Sequence, residues 1–189
     1  SKYKTNDSSP SWLDYSGASR FQVTATYPIS TSNFSSPFTK RQYITVRGFK
    51  VIATDGQIVN LAASDNIILE NNELTHTGAP STGPGVIIGR PAAAAATSAT
   101  YPTNTTIRNN LIHDTEGECV YIGASTDDPP GGTAPIITEQ STYVIGNTIY
   151  NCGQYGGQGD GIDLKDGTVN TQIIGNNIYK ASNLASNST

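Results

Sequence analysis

The sequence predicts an all-β solenoid, a fold in which short strands recur at a regular interval and stack. Three observations predict it: an eight-residue pattern that occurs five times, an asparagine that recurs within the pattern, and a second short strand between its copies. Each copy has an aliphatic residue at its third and eighth positions. The copies are residues 44–51, 67–74, 105–112, 142–149 and 171–178.

The spacing of the copies supports a solenoid of about six turns. Their third positions are 46, 69, 107, 144 and 173, so the shortest interval is 23 residues and the longer intervals contain insertions. A unit of this length cannot bury its own apolar face, so successive units must stack and share one core. Leucine-rich repeats, helical repeats and antiparallel sandwiches fit less well, because the leucine pattern and the 3.6-residue period are missing and sandwich strands do not repeat in register.

Asparagine occupies the sixth position of four copies, whereas Phe49 takes it in the first. A buried asparagine at a bend can bond backbone groups and the asparagine of the next turn, so this column predicts an internal ladder. The column consists of Asn72, Asn110, Asn147 and Asn176. The second strand also recurs, with inward residues predicted at Val59, Val86, Val120 and Ile162 and then at Leu61, Ile88, Ile122 and Leu164.

These repeats resemble those of the right-handed parallel β-helix proteins of the pectate-lyase-like superfamily. The resemblance covers about residues 44–180 and is carried by TIRNNLI, YVIGNTI and QIIGNNI with their inner asparagines. The stretches 117–123 (GECVYIG) and 163–167 (DLKDG) are also similar to motifs of a set of β-helix proteins. The resemblance implies a right-handed parallel β-helix with an internal Asn ladder, in a superfamily of lyases, hydrolases, epimerases and non-enzymatic adhesins.

The whole chain, residues 1–189, is predicted to be a single domain. Residues 1–42 are expected to form an N-terminal cap, a first turn and a loop, with a strand at 21–26 and a long Ser/Pro/Thr-rich loop at 27–42. Residues 43–180 supply the regular coils. Residues 181–189 form a tail without a convincing cap, which suggests a fragment of a longer protein.

The composition limits the partners. The formal net charge is −4 and no basic run is present, which argues against nucleic acid. No apolar segment approaches the roughly 18 to 20 residues of a membrane span. Abundant Asn, Ser, Thr and Gly favour a secreted or cell-surface protein. Four N-glycosylation sequons give weak further support, and they begin at Asn6, Asn33, Asn104 and Asn187.

The two cysteines, Cys119 and Cys152, leave two interpretations open. They could pair in an oxidising compartment, or they could be two buried thiols, and the second interpretation is favoured. Two cysteines and two histidines without metal-ligand spacing argue against a zinc site.

The stretch 160–167 (DGIDLKDG) carries more charge than any other short segment. Apolar Ile162 and Leu164 alternate with Asp163 and Lys165, as in a strand with one buried and one solvent-facing side. Such a strand is either a catalytic or binding site or a solvated face whose charges neutralise one another.

Stacking brings further carboxylates to this strand. Equivalent residues of adjacent turns should lie about 4.8 Å apart, which makes Glu118 a neighbour of Asp160 and places Asp163 beside Tyr121. Carboxylates that close must share a proton or a cation. Calcium suits such a cluster, so Glu118, Asp160 and Asp163 are its predicted ligands.

The insertions between the repeats are also predicted to lie next to the charged strand. Residues 91–104 and 125–141 leave from the end of the second strand, and residues 153–159 enter Asp160 from the other side. Long loops from one rim of a solenoid usually build its binding face. The predicted site is a groove between these loops, with Glu118, Tyr121, Asp160, Asp163 and Lys165 on its floor and Arg90, Tyr155 and Asp166 beside them.

Other polar positions are predicted to be structural. Arg47, Glu70 and Arg108 fall in one outward column and should form a surface ion ladder worth about 0 to 1 kcal/mol per pair. Residues 75–76 and 113–114, which include both histidines, are interpreted as turn residues.

Three functions are compatible with the charged strand. The favoured one is a polysaccharide lyase acting on an acidic polysaccharide, with Lys165 as the base, the carboxylates holding calcium and Arg90, Tyr121, Tyr155 and Asp166 contacting substrate. A glycoside hydrolase would need only two of the carboxylates, but the motifs of polygalacturonase-like enzymes are missing. The alternative of a different class is a non-catalytic glycan-binding, adhesin or structural β-helix.

Overall fold

A computed structural model describes residues 21–25, 28–31, 40–62, 64–77, 83–89, 101–123, 137, 139–154 and 158–181. Within these ranges all regular structure is β-strand, and the strands pair in parallel. The all-β prediction is therefore confirmed. The stacked parallel sheets are compatible with a β-helix solenoid.

Three sheets contain the strands. The first sheet contains β1 (Phe21–Ala25), β4 (Phe49–Ala53), β7 (Glu73–His76), β10 (Leu111–His113), β13 (Thr148–Tyr150) and β17 (Asn177–Tyr179). The second contains β2 (Ile29–Ser30), β5 (Val59–Asn60), β8 (Val86–Ile88), β11 (Val120–Ile122) and β14 (Ile162–Leu164). The third contains β3 (Arg41–Arg47), β6 (Ser64–Glu70), β9 (Thr103–Arg108), β12 (Glu139–Ile145), β15 (Thr168–Val169) and β16 (Gln172–Ile174).

The register of the sheets follows the repeated sequence pattern. Successive side chains of a strand point to opposite faces, so a shift of one residue would expose a whole aliphatic column, and burial therefore fixes the register. The third positions pair as Val46, Leu69, Ile107, Val144 and Ile173, and the eighth positions as Val51, Leu74, Ile112, Ile149 and Ile178. Both predicted columns are confirmed.

The aliphatic columns form the core between the sheets. Leu74, Ile112 and Ile149 have no exposed surface, whereas Ile178, the last member of their column, is 48% exposed. Leu164 and Ile173 are likewise exposed at the ends of their columns. The core is thus closed in the middle of the described chain and open at its last strands.

A row of asparagines lies at the turn from the third sheet to the first. Asn72 Nδ2 donates to Asn110 Oδ1 at 3.1 Å, Asn110 Nδ2 donates to Asn147 Oδ1 at 3.0 Å, and Asn147 Nδ2 donates to Asn176 Oδ1 at 2.9 Å. Each accepting oxygen also takes the backbone N–H of the preceding asparagine. These bonds satisfy polar groups that would otherwise be buried without partners.

The residue before the sixth position of each of the five copies has a left-handed backbone, with φ between 54° and 78°. Glycine and asparagine adopt this conformation at the lowest cost, which explains why only they occur there. The positions are Gly48, Asn71, Asn109, Gly146 and Gly175.

The interpretation of residues 75–76 and of His113 as turn residues is wrong. Thr75 and His76 end β7, and His113 ends β10 in register with Thr75. Parallel pairing extends the strands one or two residues beyond the last aliphatic position. Only Asp114 lies at the turn, with φ 51°.

The interpretation of residues 27–42 as one loop is also wrong in part. The short strand β2 pairs Ile29 with Val59 and Ser30 with Asn60, and β3 already begins at Arg41. A two-residue strand has no periodicity of its own, so the neighbouring strand specifies it.

The cysteines form a disulfide, so their interpretation as two buried thiols is wrong. The Cys119 and Cys152 sulfurs are 2.05 Å apart and their Cα atoms 5.3 Å apart. Cys119 lies immediately before β11 and Cys152 follows β13 closely, so the disulfide links the second sheet to the first. Their sequence separation of 33 gives no indication of this proximity.

Candidate functional site

The charged strand of the sequence is β14, the last strand of the second sheet. Asp163 pairs with Tyr121, Tyr121 with Ile87, and Ile87 with Asn60. The predicted register of this outward column is confirmed. It places the carboxylate of Asp163 on the strand next to the phenol ring of Tyr121.

Lys165 lies against both of these residues. Its Nζ is 2.6 Å from Asp163 Oδ2 and 5.3 Å from the centre of the Tyr121 ring. The Lys165 side chain is 26% exposed and that of Asp163 13%. The hydrogen bond to Asp163 is the main cause that raises the pKa of Lys165 above its ordinary value. Lys165 is therefore an ammonium at neutral pH. Tyr121, Asp163 and Lys165 are called the lysine cluster below.

The backbone around Lys165 is fixed from both sides. Its N–H donates to the carbonyl of Ile122 at 2.8 Å, and its carbonyl accepts the Thr168 hydroxyl at 2.7 Å. Gly123 lies close by with φ 98°, and a Cβ at that position would be 2.8 Å from Thr168 Oγ1 and 3.2 Å from Lys165 Cβ. Glycine at 123 thus leaves the space in which the lysine is positioned.

The remaining predicted site residues have different surroundings. Glu118 is only 6% exposed, so it does not project into solvent as its outward column predicted, although its charge contributes to raising the pKa of Lys165. Asp160 is exposed, and its carbonyl accepts the N–H of Cys119, the residue after Glu118, at 3.0 Å. Asp166 is exposed at the turn after Lys165. Arg90 and Tyr155 lie outside the described residues.

The structure contains no metal ion, and calcium binding by the charged strand stays a prediction. Among the residues that the structure describes, no three His, Cys, Asp or Glu side chains are grouped so that they could hold a metal ion. Glu118, Asp160 and Asp163 all belong to the described residues.

A second group of polar side chains is not identified by the sequence pattern. Glu73 Oε1 lies 2.6 Å from Lys50 Nζ and 3.5 Å from His113 Nε2. His113 Nδ1 is 2.7 Å from Asp114 Oδ2. The His113 ring stacks on Tyr150, with the ring centres 4.9 Å apart. These five residues are called the histidine cluster below.

Two groups of the histidine cluster have pKa values far from their ordinary values. The hydrogen bond from His113, helped by Lys50, lowers the pKa of Glu73 to about 2. Burial, helped by the charge of Asp114, raises the pKa of Tyr150 to about 12. At neutral pH Glu73 is therefore ionised and Tyr150 is protonated.

One signal in the sequence could have identified this cluster. His113, Tyr150 and Tyr179 all follow the eighth position of their copies directly, and the structure pairs them in that register. Tyr150 also stacks on Tyr179, with ring centres 5.2 Å apart. An aromatic or imidazole ring at the same position of three consecutive copies indicates a stack.

His76 and Glu116 form a fully buried pair. His76 Nε2 donates to the carbonyl of Gly56 at 2.7 Å, and His76 Nδ1 accepts the N–H of Glu116 at 3.3 Å, so both ring nitrogens are bonded in the neutral form. Burial lowers the pKa of His76. The Glu116 carboxylate lies 3.9 Å from His76 Nε2.

Comparisons with protein-family models, with curated proteins and with solved structures found no match. In the part of the chain that the structure describes, no helix is long and apolar enough to cross a membrane.

Proposed function

We propose that this chain is a secreted polysaccharide lyase-like enzyme that acts on an acidic polysaccharide. The observation that carries the proposal is the position of Lys165, a cation on the outer side of the second sheet beside the Tyr121 ring. A polyuronate lying across this sheet would meet a positive charge for its carboxylate and an aromatic ring for its sugar face.

The proposal includes a right-handed β-helix fold and secretion of the protein. Parallel stacked sheets and the hydrogen-bonded asparagine row support a right-handed β-helix of the pectate-lyase-like superfamily. The disulfide between Cys119 and Cys152 supports secretion, because disulfides persist mainly in oxidising compartments.

The proposed reaction is β-elimination on a uronic acid. A base removes the proton at C5, the electron pair forms the C4–C5 double bond, the C4–O bond breaks, and the leaving oxygen takes a proton from water. Lys165 is the proposed base. An ammonium cannot accept a proton, so the reaction requires the neutral amine, and Asp163 makes that form rarer by raising the pKa of Lys165. The rate should therefore increase as the pH rises.

The test follows the ultraviolet absorbance of the new double bond on a panel of polyuronates and sulfated uronans. We expect product from the wild type, a loss of at least about a hundredfold in rate for Lys165→Ala, and a pH profile displaced to lower pH for Asp163→Asn. Lys50→Ala is the matched control, because it removes a lysine that also lies 2.6 Å from a carboxylate on another sheet. No unsaturated product from any substrate of the panel would contradict the lyase proposal.

Calcium binding stays a prediction from the sequence and is measured separately. Calorimetry on the wild type and on Asp160→Asn/Asp163→Asn shows whether a cation binds at the charged strand. Binding that persists in the double variant would place the cation elsewhere.

A non-catalytic glycan-binding function is the second candidate. The observation that favours it is the ion pair itself, since a lysine held as an ammonium is better suited to bind an anion than to remove a proton. This candidate predicts retention on an acidic glycan without unsaturated product and without new reducing ends.

A further inference from the structure

The third sheet carries a solvent-facing trough that no part of the proposed function uses. The trough crosses four parallel strands, β3, β6, β9 and β12, and has a volume of about 660 Å³. Its lining consists of Tyr43, Thr45, Asn66, Ile68, Asn104, Thr106 and Tyr143. The lysine cluster lies on a different sheet, so the two surfaces are separate.

The repeat of the fold builds this lining. Thr45, Ile68, Thr106 and Tyr143 are register partners on adjacent strands and form one outward column. Two residues before each of them, the backbone has a positive φ of 52° to 63°. A left-handed residue inside a strand bends it, so four adjacent strands are bent at the same level. The left-handed residues are Tyr43, Asn66, Asn104 and Ser141.

The lining combines polar and aromatic side chains with one aliphatic residue, Ile68, and carries no formal charge. None of its seven residues is a carboxylate, lysine, arginine or histidine. Tyr43 is 79% exposed although it is a large aromatic residue with an unfavourable φ of 56°. A left-handed backbone is unusual for an aromatic residue, and it indicates that the strand requires this conformation at position 43.

Charged residues border the trough without being part of its lining. Beyond the column, Arg108 Nη2 lies 2.6 Å and Arg47 Nη1 3.8 Å from the carboxylate of Glu70, which is the ion ladder predicted from the sequence. On the other side, Asp65 accepts hydrogen bonds from Gln42 and Thr103. The lining itself therefore offers hydrogen bonds and ring faces without a formal charge.

We propose that the trough binds a neutral polysaccharide chain. Sugars present apolar C–H faces, which the rings of Tyr43 and Tyr143 can contact, and hydroxyl edges, which the side chains of Asn66, Asn104 and Thr106 can bond as donors and acceptors. Equivalent positions recur about every 4.8 Å across the parallel strands, and each of the four strands contributes a polar or aromatic side chain to the lining. An extended polysaccharide lying across the strands would therefore contact a polar or aromatic side chain on each of them.

The test measures the migration of the purified protein in native gels that contain a soluble β-glucan, an arabinoxylan or a galactomannan. We expect retardation by at least one of them, unchanged by added salt because no ion pair forms. Tyr43→Ala should weaken the binding by roughly tenfold, and Tyr143→Ala by roughly three- to tenfold. Tyr179→Ala is the control, since Tyr179 is also exposed but lies on the first sheet.

Four outcomes separate this inference from the proposed function. Binding of a neutral polysaccharide that is lost in Tyr43→Ala but kept in Lys165→Ala supports the trough, whatever happens to lyase activity. No retardation by any of the three polymers contradicts it. Retardation that both tyrosine variants keep contradicts it as well, as does binding that disappears at high salt. The protein is produced in a bacterial host, because Asn104 begins a sequon and a glycan there would occupy the trough.

Discussion

The lysine cluster and the histidine cluster use the same pair of groups in different surroundings. In each, a lysine Nζ lies 2.6 Å from a carboxylate oxygen and a tyrosine ring lies nearby. The histidine cluster occupies the first sheet, where its strands β7 and β10 have neighbours on both sides. The lysine cluster occupies β11 and β14, and β14 is the terminal strand of the second sheet.

The carboxylates of the histidine cluster each have several polar partners. Glu73 interacts with both Lys50 and His113, and Asp114 accepts hydrogen bonds from Asn151 and Gln154 in addition to its contact with His113. Groups that satisfy one another in this way have little capacity left for a ligand.

A shifted pKa alone does not identify a functional site in this fold. The pKa of Glu73 is lowered to about 2, yet the causes are interactions within the scaffold. The pKa of Lys165 is raised mainly by one partner, on a strand beside predicted binding loops. The histidine cluster is therefore expected to matter for stability and the lysine cluster for activity.

The largest expected effect comes from removing the disulfide, which ties both clusters together. Cys119 precedes the strand of Tyr121, and Cys152 follows Asn151, which donates to Asp114. Cys119→Ser with Cys152→Ser should lower the free energy of unfolding by about 3 to 4 kcal/mol, because the bridge closes a loop of 33 residues. Urea unfolding measures this loss. An unchanged midpoint would show that the sheets hold the two clusters together without the bridge.

The next effect distinguishes the clusters by pH. Glu73→Gln should cost at most about 3 kcal/mol at pH 7, because the carboxyl pKa is about 2 in the folded chain against an ordinary value of 4.5. A lowered folded pKa stabilises above the ordinary value and loses that contribution as the pH falls through the folded value. The difference between variant and wild type should therefore shrink as the pH falls from about 5 towards 2. A difference independent of pH would mean that the charge of Glu73 does not stabilise the fold.

The register of this fold is predictable from the sequence because one physical requirement repeats in it. Every aliphatic column has to stay buried, and every left-handed turn position before the asparagine row has to be glycine or asparagine. The same regularity correctly predicts that Asp163 lies beside Tyr121. The aliphatic pattern does not predict the pairing of His113 with Thr75, because neither residue is aliphatic and the pattern ends the strands too early.

Contacts between different faces cannot be predicted in this way. The register states which residues are neighbours along a sheet, but not how closely the first and second sheets approach, so it does not identify the disulfide. It also does not specify how exposed a side chain is. Glu118 belongs to an outward column, yet it is buried where the chain turns into β11 next to the fully buried Cys119.

Loss of the Asp163 charge should have the smallest effect on stability. Asp163→Asn is the counterpart of Glu73→Gln, since each replaces the carboxylate nearest to a lysine by its amide. Lys165 retains 26% exposure and can be hydrated when its partner loses charge, and among the described strands β14 pairs with β11 alone. We expect a loss of about 1 kcal/mol or less in the free energy of unfolding at pH 7, together with a clear change in the pH dependence of activity or glycan binding. Urea unfolding and the substrate assay on the same preparation measure both quantities. A stability loss as large as that of Glu73→Gln, with function unchanged, would assign the lysine cluster to the scaffold.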